Sequence, residues 1–249
     1  MSQPLNRVIP DALVRHDPNV LDNKPKMAHL VASIFAHWAL IEYRLSLLLV
    51  RVLGADAAPA LAMFSTLTAQ HLQLGALEAA AKVALSAEEF DVFKATINVT
   101  DSVQTPRNHL AHWIWASCLE LPEAMLLAEP KSAKERDREF TLALEKSEGN
   151  SINVEEMTKL NSYDAAKVRV YKETDLRRVN RDLEEASLIA FLVVVYLDGS
   201  FRGRRKLPPD VKRGISREQI FQQLYGQRLF REAWDRRKVD RKKSRQSTP

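Results

Sequence analysis

The chain has 249 residues, 45% of them hydrophobic, with seven glycines and one cysteine. That is enough apolar material for a real core and excludes wholesale disorder; so few glycines argue against a turn-rich β protein or a glycine-rich nucleotide fold, and the lone Cys118 excludes a disulfide framework within the chain. The net charge of +5 conceals a division: residues 202–249 hold 16 of the 37 basic and 5 of the 32 acidic side chains, a balance of +11, which leaves 21 and 27 for residues 1–201, a balance of −6.

Residues 1–23 read as an arm interrupted by Pro4, Pro10 and Pro18, with no secretory signal. A helix is expected from Pro25, a residue suited to the first helical turn. Met27, Leu30, Val31, Ile34, Trp38, Ile41, Leu45, Leu48, Leu49 and Val52 follow a three-and-four spacing, and Gly54 is a natural stop. A short helix is expected over Ala57–Leu67. Thr68 is placed to cap another from Ala69 to Leu85. Ser86 and Glu89 have the form of a capping box. The helix they open carries Phe90, Phe93 and Ile97 and runs toward Pro106. There it either kinks, or it ends and Thr105 caps a new helix with Pro106 at its first position. Both options put Arg107 and Asn108 at a local break able to receive an anion.

After Cys118 the apolar run from Glu123 to Ala128 and the alternating run from Val168 to Tyr171 predict two strands of a hairpin-like sheet. The charged stretch 131–165 between them reads as a loop or insertion with a short helix around Phe140–Glu145. Thr174 or Asp175 caps a long helix to about Leu197, with Gly199 and Gly203 marking its end. Pro208-Pro209 reads as a linker. One last helix is expected from about Ser216 to Arg237. The run Ser187–Leu197, read as the longest uncharged apolar stretch, is too short to span a bilayer. The expectation is a soluble cytoplasmic protein with no membrane contact. Its parts are an N-terminal arm (1–23), a helical domain (24–200) carrying the 131–165 insertion, and a loosely attached basic tail (201–249) with one helix.

The residues that carry candidate chemistry are Arg107-Asn108-His109-Leu110-Ala111-His112, followed by Trp113-Ile114-Trp115. Arginine is a fixed cation whose planar fork matches phosphate oxygens. Histidine titrates near neutrality and transfers protons. Together they suffice to cleave RNA without a metal, the imidazole moving a proton and the guanidinium stabilising the charge that develops on the phosphoryl group. Arg107 and His112 are about 140° apart on an ideal helix, whereas Asn108 and His112 share a face. The geometry favours a composite site, completed by a kink at Pro106, by the reach of Arg107, or by a second copy of the motif. If the helix runs through Pro106, then Asp101, Gln104, Asn108 and His112 form one polar stripe, which lines a cleft or faces solvent.

Several neighbours have plainer readings. Glu42 and Arg44 suit a salt bridge at a helix contact, or partners for the motif. His109 and His112, three apart, have the spacing of two metal ligands but no acidic or histidine partner at helical spacing. His29, His37 and His71 read as ordinary helix residues, Trp113 and Trp115 as core anchors, and Cys118 as a buried thiol. No phosphate-binding loop, dinucleotide fingerprint or nucleophile elbow is present. Neither a cofactor nor a metal is expected.

Arg107-Asn108-x-x-Ala111-His112 followed by Trp113 resembles the motif of the HEPN superfamily (higher eukaryotes and prokaryotes nucleotide-binding domains): Arg, four to six residues, then His, with a polar residue often following the Arg. The resemblance covers residues 25–198 apart from the insertion and excludes the basic tail. It implies a mainly α fold, a bundle of four to five helices, here with the small two-stranded β element and the basic helical tail. Two copies would pair so that their motifs face one cleft. Many such proteins are metal-independent endoribonucleases, often toxins or parts of phage defence, and others are non-catalytic binding modules. By position, Arg107 would stabilise the scissile phosphate, His112 would be the acid–base residue, and Asn108 would orient one or the other. RNA, a second copy of the chain, and a cognate antitoxin or defence partner are the implied partners. The basic tail offers a second, purely electrostatic route to nucleic acid.

Overall fold

The computed structural model describes residues 2–10, 12–54, 57–146, 163–201 and 216–246. Among these the protein is mainly helical, with eight α-helices and a five-stranded antiparallel sheet. The chain divides into two compact units. One comprises residues 1–34 and 105–180, the other residues 35–104 and 181–249.

The first unit holds the sheet. Its strands are β1 (Gln3–Pro4), β2 (Val14–His16), β3 (Ile114–Cys118), β4 (Met125–Ala128) and β5 (Val168–Tyr171), in the order β1-β5-β4-β3-β2. The two expected strands are present and paired, Leu126 opposite Val170 and Ala128 opposite Val168. The sheet is larger than the expected two-stranded element. Chain leaving the motif helix becomes β3, and the proline-interrupted N-terminal residues supply both outer strands, β1 against β5 and β2 against β3. The sequence hid these because two- and three-residue strands are too short to show alternation. Every residue of β4 is buried, as a central strand requires. Alternation then sorts the sheet into faces. Ala116, Leu126 and Val170 align on one face, with Ala128 and Val168 beside them, and pack with Leu5, Val14, Cys118, Ala133 and Tyr163 into one apolar cluster.

Helix α1 (Pro25–Leu53) starts at its proline and ends at Gly54, whose φ of 58° needs a residue without a Cβ. By length and composition α1 is apolar enough to cross a membrane, and 39% of its most apolar window is buried. The longest apolar stretch therefore lies here, not at Ser187–Leu197. The next helices are α2 (Ala57–Thr66) and α3 (Gln70–Ala84). At the start of α3 stands Ala69, without a side-chain cap, rather than Thr68. Helix α4 (Ala87–His112) opens with the expected capping box: the Ser86 amide donates to Glu89 at 2.7 Å and the Glu89 amide donates to the Ser86 hydroxyl at 3.4 Å. It passes through Pro106 uninterrupted, so Thr105 does not cap a new helix. Helix α5 (Pro130–Lys146) is longer than the turn or two expected around Phe140–Glu145. Residues 147–162, the remainder of that charged stretch up to Asn161 and Ser162, lie outside the described residues. Helix α6 runs Glu173–Phe201, past Gly199; it starts before the expected caps, so Thr174 and Asp175 lie inside its first turn, where Asp175 accepts from the Lys172 amide at 3.2 Å. Gly203 and the Pro208-Pro209 linker also lie outside the described residues.

The second unit is built from helices. Trp38, Ile41, Leu48, Leu77, Phe93, Leu183, Ile189, Val193 and Leu197 are all buried there. The single last helix expected over 216–237 is two: α7 (Arg217–Gly226), with Ser216 and Gln219 forming a capping box, and α8 (Arg228–Gln246). Gly226 lowers helix propensity and Gln227 is extended, which breaks the run. Nor is this pair loosely attached. Ile220, Leu224, Phe230, Ala233 and Trp234 are buried. Arg217 pairs with Glu89 at 2.8 Å and lies over the Tyr196 ring. Arg237 pairs with Asp91 at 2.8 Å, and Arg228 with Asp182 at 2.7 Å. Phe230 is fully buried in this contact. Phe230→Ala is expected to lower stability by about 3–5 kcal/mol in urea unfolding, whereas the exposed Arg231→Ala shifts it by less than about 0.5 kcal/mol.

Candidate functional site: the last two turns of α4

The motif occupies the end of α4, all of it within the first unit. Arg107, Asn108 and His109 are half-buried, Leu110 is buried, and Ala111 and His112 are exposed. The Arg107 Nη1 donates to Asn108 Oδ1 at 3.1 Å, which orients the fork and the amide together. Among the described residues His112 makes no hydrogen bond or ion pair, so its imidazole is open to a ligand from solvent. Because the helix is continuous from Pro106 to His112, ideal geometry separates Arg107 and His112 by about 140° and roughly 7.5 Å of rise.

What holds this end of the helix is His109. Its Nδ1 is 2.9 Å from the hydroxyl of Tyr171 on β5, and its ring lies against Trp113, centroids 4.2 Å apart and planes tilted by 39°. The carbonyls of a helix's last turn need donors from outside the helix. Trp115 supplies one, its indole N–H donating to the Leu110 carbonyl at 3.0 Å, while the Trp113 amide donates to the His109 carbonyl at 2.9 Å. The motif is thereby locked to the sheet through residues that flank its chemistry. Spacing in sequence pointed to Trp113 and Trp115 as anchors. Nothing local revealed His109, because its partner lies 62 residues away.

Other candidates find other partners. Glu42 accepts from the indole of Trp38 at 2.7 Å, and Arg44 donates to the carbonyl and hydroxyl of Ser187, so neither completes the expected salt bridge. Within the polar stripe Gln104 donates to Gln70 at 2.7 Å, and Asp101 is exposed at the residue level while crowding of its carboxyl by protein pushes its pKa up. Cys118 is buried and donates to Glu120 at 2.7 Å; burial, with that hydrogen bond, raises its pKa. Among the described residues no group of three or more His, Cys, Asp or Glu stands together as a metal site. Comparison with protein-family models, curated proteins and solved structures finds no match.

Burial, and next the charge of Arg169, hold the His109 pKa below its ordinary 6.5. The folded protein therefore binds this proton less readily than the unfolded chain. The stabilisation is complete above about pH 6.5 and is lost as the pH falls below it. Urea midpoints measured across pH 5–8 are expected to fall on the acid side, and His109→Gln flattens that dependence. Burial raises the Tyr171 pKa, so its contribution is complete below pH 10 and lost above it. Tyr171→Phe is expected to destabilise by about 1 kcal/mol, read by the same unfolding.

Proposed function

We propose that this chain is a HEPN-like, metal-independent endoribonuclease that acts as a homodimer, of the toxin or phage-defence type, working in the cytoplasm. Arg107 stabilises the phosphoryl charge as the 2′-oxygen attacks phosphorus and the 5′-oxygen leaves, His112 moves the proton, and Asn108 holds the guanidinium in register. The observation that carries this reading is the motif itself, in the last two turns of a long helix: the Arg107 fork is pre-oriented by Asn108, and the His112 imidazole is exposed. The angular separation of Arg107 and His112 supports pairing of two copies, since one straight helix cannot aim both at the same phosphate. A cognate antitoxin or defence partner is the expected regulator.

Purified protein incubated with RNA in the presence of a chelator tests the proposal. His112→Ala and Arg107→Lys are expected to lower cleavage by at least about a hundredfold. Stability should be unchanged for His112→Ala, because that side chain is exposed. Equal cleavage by wild type and His112→Ala would refute the catalytic role.

A second reading is a non-catalytic module that binds nucleic acid or a partner protein through α8. It is favoured by the density of charge over residues 236–245 of α8, where Arg236, Arg237, Lys238, Arg241, Lys242, Lys243 and Arg245 stand against Asp240, although Arg237 is held by Asp91. Because α7 and α8 bury core residues, truncation would also expose apolar surface, and substitution is the cleaner probe. Replacing the exposed Arg231, Arg236 and Lys238 with alanine is expected to weaken RNA binding and reduce its salt dependence by up to about three counterions. Chelator-resistant cleavage retained by the triple variant favours the enzyme; loss of binding, with no cleavage detected even for the wild type, favours the module.

A further inference from the structure

Within the second unit a cavity of about 430 Å³ opens where α1, α6 and the α7–α8 turn meet, lined among others by Leu40, Arg44, Ser187 and Leu188. That is the size of a small-ligand site. Arg44 is half-buried; it donates to the carbonyl and hydroxyl of Ser187 and lies over the Phe191 ring, 5.4 Å from its centroid. Among the described residues no carboxylate forms an ion pair with it. Of the other charges on the cavity, Glu185 accepts from the Leu229 amide and shares Arg228 with Asp182 and Glu232, which turns its carboxylate toward the α7–α8 turn. Arg181 and Glu184 are exposed, where water and salt screen them. Arg44 is therefore a half-buried cation on the cavity with no carboxylate partner among the described residues, and desolvation lowers its pKa. Beside it stands an apolar wall. Leu40, Leu188 and Phe191 are 43%, 42% and 47% exposed, unusually open for large apolar side chains on adjoining helices.

We propose that this cavity binds a small amphiphilic anion, a carboxylate or phosphate monoester with an apolar tail, its head on the Arg44 fork and its tail along Leu40 and Leu188. A guanidinium whose Nη1 is engaged by Ser187 still presents further N–H groups in a planar fork, the geometry that matches either oxyanion. The site is independent of the nuclease reading, because none of its residues belongs to the α4 motif.

Calorimetric titration of the full chain with hexanoate, hexyl phosphate, inorganic phosphate and hexanol tests this. Saturable binding of hexanoate, hexyl phosphate or both is expected, and which of the two is tighter identifies the head group. Arg44→Gln is expected to weaken it at least about tenfold, and Arg44→Lys less. Because Arg44 also bonds Ser187, the exposed Leu188→Glu is the companion variant; it should abolish binding with an unaltered unfolding midpoint. Hexanol binding as tightly as the anions, inorganic phosphate matching hexyl phosphate, or no saturable binding at all would overturn the proposal. So would a wild-type dimer that binds no anion and that Leu188→Glu converts to monomer, since the face would then be a contact between copies of the chain.

Discussion

The hydrogen bond between His109 and Tyr171 governs everything the motif can do. It ties the last turn of α4 to β5, and one ring contact away Trp113 begins the passage into β3. Once His109 is turned toward the sheet, the helix period dictates the rest. Asn108 and His112 lie to one side of it, within about 40° of each other, and Arg107 points almost opposite to His109. A helix end that must satisfy its own carbonyls and enter a strand within two residues has few conformations left.

The charge division of the sequence has a structural use. An acidic body and a basic tail invite each other, and the second unit realises this through three arginines: Arg217 on Glu89, Arg237 on Asp91, and Arg228 on Asp182 and Glu185, with aromatic rings beneath Arg217 and Arg237. Glu89 and Asp91 are nearly buried, so their charges need those partners. Among the described residues of the tail, Arg231, Arg236 and Lys238 stay exposed. Net charge alone therefore overstates how much of the tail's basicity is available to an outside polyanion.

Much of the helical framework was legible from spacing. The α1 stripe, the Ser86–Glu89 capping box and the stop at Gly54 each follow from a local rule and a residue type. The sheet was half legible: β4 and β5 announce themselves by apolar runs, whereas β1 and β2 are too short to carry a period and exist because long-range pairing selects them. The break at Gln227 was missed because the arginines and aromatics around it all favour helix, and one glycine decides otherwise. At the motif, residue types and the angular separation of Arg107 and His112 could be read directly. The role of His109 could not, since it depends on a tyrosine brought in by the sheet.

The sheet's outer strands have a consequence for association. β1 is two residues long and contains Pro4, which offers no amide hydrogen; β2 is three residues long and ends in Arg15 and His16. Open edges of a sheet are templates on which a neighbouring chain can extend the ladder. Here one border is interrupted by Pro4 and the other carries Arg15, and both are brief. Each of these features disfavours the addition of a strand from another copy of the chain.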